Sequence, residues 1–338
     1  VFLKLLQRVM LGFGGIGALN DLGYNIDTYH LNEGHAVFAF VAKARGLVKD
    51  EIENLKDRFV YTCHTPVEAG HDRFSFDDLN KVLKKEDTDI IERFGKEGSG
   101  LANLTLLSMN ISSATNAVSR NHQRVMHIQF PEYKDQIQYV TNGVHPHTWM
   151  SQKFKELFEK FPSTFPDFKA NPMILSKAAE LKANPDFRAQ LWQAHQSNKT
   201  DLCKLLEKWK LDKDLFTICW ARRVAAYKRP SLILHDISRL ARIAEKTGPL
   251  QIILAGKAHP NDNLGFTYIN EMLDKVDNLN EDYDKLKIIV LENYDISLGK
   301  TLTSSVDVWL NNPLPPFEAS GTSGMKAILN AVLQMSTV

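Results

Sequence analysis

Four short apolar runs constrain this chain more than any other feature: FTICWARR (216–223), LQIILAGK (250–257), LKIIVLEN (286–293) and VDVWLNN (306–312). Each is rich in β-branched residues and gives way to Gly, Asn or charge. A strand wetted on one face alternates apolar with polar residues. A continuous apolar run suits a strand buried on both faces, as in a parallel sheet covered by helices. Between the runs, SLILHDISRLARIAEK (231–246) and FTYINEMLDKV (266–276) carry apolar residues at helical spacing. Strands alternating with helices in this way predict a parallel, doubly wound α/β sheet.

The first half repeats the grammar less cleanly. NIDTYHL (25–31) leads into EGHAVFAFVAKARGL, a strand and then a helix closed by Gly46. RFVYTCHT (58–65) is a further strand candidate, a helical stretch is expected around 111–127, and IQYVTNGV (137–144) reads as a strand ending in a turn. The Lys-rich stretch 151–215 reads as a mostly helical connection between two α/β units. The expected domains are therefore 1–150 and 151–338. In such folds ligands sit at the carboxyl ends of the strands. His64, Asn142, Arg223, Lys257, Tyr294 and Glu318 fall at those ends.

Charge narrows the partners. With 41 Lys and Arg against 40 Asp and Glu, the net charge of +1 gives no global field for nucleic acid or an anionic membrane. Any anion site must come from a local basic cluster. No unbroken run of about 18 apolar residues appears, so no membrane span is expected. The opening VFLKLLQRVM reads as an amphipathic helix rather than a signal peptide. Cys63, Cys203 and Cys219 are too few and too scattered for a disulfide framework, which points to a reducing cytoplasm. The chain starts at Val1 and stops at Val338 after an apolar run, so both ends read as cut from something longer.

Three groups of residues carry chemistry. FEASGTSGMKAILN (317–330) follows a strand through a Pro-rich turn, and its Gly and Ser residues can present several backbone N–H groups ahead of a helix bearing Lys326. Such a loop can cradle an anion, and the lysine can pair with a phosphate or bond an aldehyde cofactor. A flexible loop with a solvated lysine fits the same letters. ARRVAAYKRP (221–230) places Arg222, Arg223, Lys228 and Arg229 just after a strand, where Arg forks and a Lys point charge could hold phosphate. A solvated basic helix face is the alternative. HLNEGH (30–35), CHTPVEAGHDRF (63–74) and VTNGVHPHTW (140–149) are rich in His and turn residues. Two histidines five apart miss the i, i+4 zinc spacing, so no metal site is expected. GFGGIG (12–17) has the glycines of a dinucleotide fingerprint but follows a helix-like run and lacks the acidic partner.

Together these segments resemble the α-glucan phosphorylases of glycogen, starch and maltodextrin. EASGTSGMKAILN is similar to their lysine segment for pyridoxal 5'-phosphate (PLP), and ARRVAAYKRP to their phosphate-binding segment. HLNEGHA, CHTPVEAGHDRF, TNGVHPHTW and LENYDISLGK resemble further family segments in the same order. GTSGMK and HTPVEAGHD look nearest to the shorter bacterial and archaeal type.

The resemblance implies a GT-B-like α/β fold, two Rossmann-like domains with parallel sheets facing a cleft, here with the N-terminal domain and the C-terminal end incomplete. It implies transfer of terminal glucosyl units from an α-1,4-glucan to inorganic phosphate. The product would be α-glucose 1-phosphate, formed with retention through an oxocarbenium-like state, with the PLP phosphate as acid–base partner. Lys326 would carry PLP. Thr322, Ser323, Arg222 and Tyr294 would surround the cofactor phosphate, and Arg223 and Lys228 would hold the substrate phosphate. Glu318, with Ser320 and Gly321, would bind glucose hydroxyls; His64 and Asn142 would bind the same sugar, with His35 and Asn32 nearby. A homodimer is a further family expectation.

Ser323 and Gly324 stand where the commonest family wording has Gly-Asn, which fits the shorter subgroup. Only about 30 residues precede HLNEGH, where the family has a long segment with a Gly-rich loop. Two other readings stay open: a nucleotide-sugar glycosyltransferase of the same fold, which has no use for a PLP lysine, and an inactive glucan-binding remnant.

Overall fold

The alternation of strands and helices becomes two parallel sheets, one in each of two units. The structure is a computed structural model and describes residues 2–260, 262–277, 279 and 283–337. One unit comprises residues 1–142 with 316–320, the other 143–315 with 321–338.

The first unit holds a four-stranded sheet of β1 (Tyr29–Asn32), β2 (Phe59–Cys63), β3 (Ala114–Ala117) and β4 (Ile137–Tyr139), in chain order and all parallel. Tyr29 pairs with Phe59 and Val60 with Ala114, so β2 is central. Phe38, Phe40, Phe59, Tyr61, Ile91 and Leu104 are fully buried around it. The expected helix at 111–127 is corrected. β3 occupies 114–117, and the helix begins only at Arg120, where the Ser119 hydroxyl caps it by accepting from the His122 N–H at 3.0 Å. The run Ala-Thr-Asn-Ala has little strand preference of its own; pairing on both edges makes it a strand.

Residues Phe2–Asp21 form one helical rod with a π-helical turn at Met10–Gly14. The GFGGIG run lies inside this rod, which is why it is no dinucleotide loop. A Cβ on Gly12 would stand 2.7 Å from Phe38 backbone and side-chain atoms, so glycine is what lets the rod lie on the helix Phe38–Ala44. Arg8 donates to Asp72 at 3.0 Å and Lys4 pairs with the same carboxylate. At 20 residues the rod is long and apolar enough to cross a membrane by length and composition alone. The expectation of no such span counted only unbroken apolar runs, and Lys4, Gln7 and Arg8 interrupt this one.

The second unit holds a five-stranded parallel sheet. Its strands are β5 (Phe216–Ala221), β6 (Leu250–Ala255), β7 (Leu286–Leu291), β8 (Val308–Asn311) and β9 (Leu333–Ser336), in the order β9-β8-β5-β6-β7. The first four are the apolar runs read from the sequence, and every residue of β6 is buried. Ile252 and Leu254 face one core with Trp220, while Ile253 and Ala255 face the other with Trp309, which is the period-two alternation of a covered strand. The helix expected over 231–246 starts at Ile237, capped by Asp236, after a 3-10 turn at Leu232–Leu234.

The stretch 151–215 is more than a connection. Its helices Gln152–Glu159 and Pro185–Leu205 enclose a core of Phe154, Phe158, Phe165, Phe168 and Phe187. Asp307 accepts hydrogen bonds from His195 at 2.8 Å and Lys199 at 2.7 Å, tying the longer helix to the sheet.

Candidate active site

In the second unit, β5 is the first strand in sequence. Successive connections build outward on one side through β6 and β7, then jump to β8 and β9 on the other. The sheet therefore has a switch point between β5 and β8, where α/β sheets open a crevice at the carboxyl ends of their strands. Arg222 follows β5 there and is 6% exposed. Its guanidinium donates to the Ser323 hydroxyl at 3.0 Å and to the Asn311 side-chain oxygen at the end of β8. The Trp309 indole N–H also donates to Ser323, at 3.2 Å, and the Asn311 amide donates to the Ser336 hydroxyl on β9 at 3.0 Å. Ser323 and Arg222, both expected around a cofactor phosphate, thus meet directly at the switch point.

Gly321 precedes the short helix Thr322–Ile328 with φ +70°, a conformation that glycine adopts without strain. Ser323 and Lys326 are three residues apart on that helix and share a face. The Lys326 ammonium lies 3.7 Å from the centroid of the Trp149 ring, and burial lowers its pKa from the ordinary value. Asn330 fixes this pair. Fully buried, it accepts from the Ser151 N–H at 2.7 Å and donates to the carbonyls of Trp149 at 2.9 Å and Lys326 at 3.0 Å. The sequence reading quoted Trp149 within a motif but gave it no role; the signal was its place at the end of TNGVHPHTW.

The basic loop divides its cations. Lys228 is 9% exposed and lies 4.8 Å over the Tyr227 ring, while Arg223 is exposed. Arg229, counted with the cluster, turns elsewhere. Its guanidinium donates to the carbonyls of Asn312 at 2.7 Å and Pro313 at 3.0 Å, and the Asn312 amide returns a bond to the Arg229 carbonyl at 3.1 Å. Tyr294 is largely enclosed. Burial, with Cys219 nearby, pushes its hydroxyl up to about 12, and a Cβ on Gly299 would meet that hydroxyl at 3.2 Å.

In the first unit the expected sugar contacts gather at strand ends. Asn32 ends β1 and His35 follows it; both are exposed. His64 follows β2, half-buried, and burial together with neighbouring His30 lowers its pKa. The Asn142 N–H donates to the Val118 carbonyl at 3.0 Å, just past β3. Between Asn32 and His35 stands Glu33, which the sequence reading passed over. Its carboxylate accepts from the His64 N–H at 2.5 Å and from the Thr65 hydroxyl at 2.8 Å. The segment 316–320 belongs to this unit: the Ser119 hydroxyl donates to the Ala319 carbonyl at 2.5 Å, and Glu318 is half-buried. The Ser320 hydroxyl is buried with no hydrogen-bond partner among the described residues. No three His, Cys, Asp or Glu side chains converge as a metal site among those residues.

The family described as carbohydrate phosphorylase matches residues 72–338. The chain is 35% identical to the maltodextrin phosphorylase of Thermococcus litoralis, over 98% of its own length and 43% of that protein. It is 33% identical to the glycogen phosphorylase of Aquifex aeolicus, over 99% of its length and 53% of that protein. It is 26% identical to the human liver form of glycogen phosphorylase, over 96% and 44%. The chain spans about half the length of the curated relatives it matches. With six motifs in family order, a parallel sheet bearing its lysine and arginine at the switch point, and a family match over most of its residues, this chain belongs to the carbohydrate phosphorylase family.

Proposed function

We propose that this chain is part of an α-1,4-glucan phosphorylase that uses PLP and transfers terminal glucosyl units to inorganic phosphate. The observation that carries the reading is Lys326: an amine half-buried against Trp149, with its pKa lowered, three residues from a serine held by a buried arginine. A lysine that bonds an aldehyde must offer a neutral amine, and desolvation favours that form. The donor set fits PLP in a further way. Arg222 supplies buried positive charge, and it donates to the Ser323 hydroxyl on the helix that bears Lys326.

When bound, PLP would supply a phosphate titrating near neutrality as the proton-exchanging partner of the substrate phosphate. Two phosphates side by side repel, so the protein must supply cations. Arg222 would serve the cofactor side with Thr322, Ser323 and Tyr294, while Arg223 and Lys228 would serve the substrate phosphate. Lys228, being buried, would act in a low-dielectric setting where its charge is felt strongly. Glu318, Ser320 and Gly321 would bind glucose hydroxyls, with His64 and Asn142, and Asn32 and His35 close by. The free thiols Cys63, Cys203 and Cys219 suit a reducing cytoplasm, and a homodimer fits the family.

The test is the absorbance of the full-length folded protein before and after borohydride reduction, with mapping of the labelled peptide. A PLP band that becomes fixed to the peptide containing Lys326, and that is lost in Lys326→Ala together with activity, is the expected result. A full-length protein that phosphorolyses glucan without an adduct on Lys326 would overturn the assignment. One that binds no PLP would point instead to a nucleotide-sugar glycosyltransferase.

A further inference from the structure

Glu33 is the one non-glycine residue with positive φ among the described residues of the first unit, at +62°. A glutamate gains nothing from that conformation by itself, because its Cβ crowds the following carbonyl. Such an outlier persists only where its surroundings hold it, and it is a reason to ask what the side chain does. Glu33 lies one residue past the register pair Asn32–Thr62, beside the end of β2. From there a single carboxylate oxygen accepts both the His64 N–H at 2.5 Å and the Thr65 hydroxyl at 2.8 Å. Charge-assisted bonds of this kind are the stronger ones. The other side of the same turn is held as well. The His122 Nε2 donates to the Thr65 carbonyl at 3.1 Å, and the Cys63 thiol approaches that carbonyl at 3.7 Å. The turn after β2 is thus held through the His64 N–H and through both the hydroxyl and the carbonyl of Thr65, and His64 alone of the two extends a half-buried ionisable side chain.

We infer that Glu33 is a positioning residue for His64: its left-handed backbone aims a carboxylate at the His64 N–H, fixing where the imidazole meets the sugar. The inference rests on the phosphorylase reading, in which His64 contacts the glucosyl unit. It adds a residue that acts through His64 and touches no substrate. A purely structural Glu33 would lower stability and all kinetic constants together. A positioning Glu33 acts on the sugar and not on phosphate.

The experiment is a double-mutant cycle on the full-length enzyme with steady-state phosphorolysis. Glu33→Gly keeps the backbone free to adopt positive φ while removing the carboxylate, and Glu33→Gln keeps a side-chain oxygen that can accept both bonds. Glu33→Gly should raise the KM for glucan about tenfold with the KM for phosphate within about twofold, and Glu33→Gln should recover most of the loss. In a His64→Ala background Glu33→Gly should add little, since its effect passes through the absent imidazole. Full additivity in the cycle would overturn the inference. So would equal changes in both KM values, or a folded Glu33→Gln as impaired as Glu33→Gly, which would mean the charge itself is used on substrate. Wild-type turnover decides the parent reading separately. A full-length protein without it overturns both, whereas turnover with an additive cycle overturns the role of Glu33 alone.

Discussion

Acid should loosen the first unit through His122, and the size of the effect follows from its surroundings. The ring is fully buried. Its Nδ1 accepts from the Val118 N–H at 3.3 Å and its Nε2 donates to the Thr65 carbonyl at 3.1 Å. That pattern requires the neutral ring with its proton on Nε2, because a second proton would face an N–H donor. Burial pushes the pKa down to about 4, against the ordinary 6.5, although the bond to Thr65 favours the charged ring. The folded-state value is therefore the lower one. Between about pH 6.5 and pH 4 the unfolded chain binds a proton that the folded chain refuses, so stability falls as pH falls through that window. At about 1.4 kcal/mol per pH unit, the full effect is about 3 kcal/mol. Denaturant unfolding at intervals from pH 7.5 to pH 4 would measure it, with His122→Asn as the comparison. His64 and His71 are also held below their ordinary values by burial, so the wild type carries their contribution too, and the difference between the two proteins isolates His122. The variant will be less stable at pH 7.5, but its stability should fall less steeply, the gap closing by about 3 kcal/mol at pH 4. Parallel curves for the two proteins would refute the reasoning.

Two further substitutions test the packing. Asp307→Ala strands the buried Lys199 ammonium and removes acceptors from His195 and the Thr217 N–H, so unfolding should become easier by about 3–5 kcal/mol. Adding Lys199→Met should restore much of that loss in the same denaturant titration, and no recovery would mean that the uncompensated charge is not the cause. Gly12→Val places a side chain where a bare Cβ already stands 2.7 Å from Phe38, so a thermal melt should fall by a shift equivalent to about 1–3 kcal/mol, whereas Gly14→Ala, helical and in open space, should not lower it.

The sequence betrays an element when the signal is local. β6 and β7 announce themselves because burial on both faces demands continuous apolar residues, and nothing outside the segment is needed to see it. β3 and β9 are silent for the opposite reason. Ala114–Ala117 and Leu333–Ser336 are strands because neighbours pair with them, and β9 is exposed at all four residues, so no burial pattern exists to be read. The stretch 151–215 was obscured by its charge. Its core is a set of phenylalanines drawn from two helices and the turns between them, at spacings that match neither a strand nor a single helix.

The same division runs through the site, and it explains why counting charges there misleads. ARRVAAYKRP offers four cations that a sequence can only add together. Folded, they do four different things. Arg222 is buried on Asn311 and Ser323, Arg223 stands in solvent, Lys228 is buried beside Tyr227, and Arg229 binds carbonyls of the Asn312–Pro313 turn. Arg229 itself sits at φ +48°, held there by three bonds that lash the basic loop to the loop after β8. Glu33 is the counterpart in the first unit: a charged residue, also at positive φ, whose carboxylate holds its neighbours' backbone in place. In both cases a charge that looks available for ligand is committed to the chain, and what it fixes is the position of the residue beside it or across from it. A motif states which side chains are present. Backbone conformation, invisible in the motif, decides which of them face a ligand and which build the frame that aims the others.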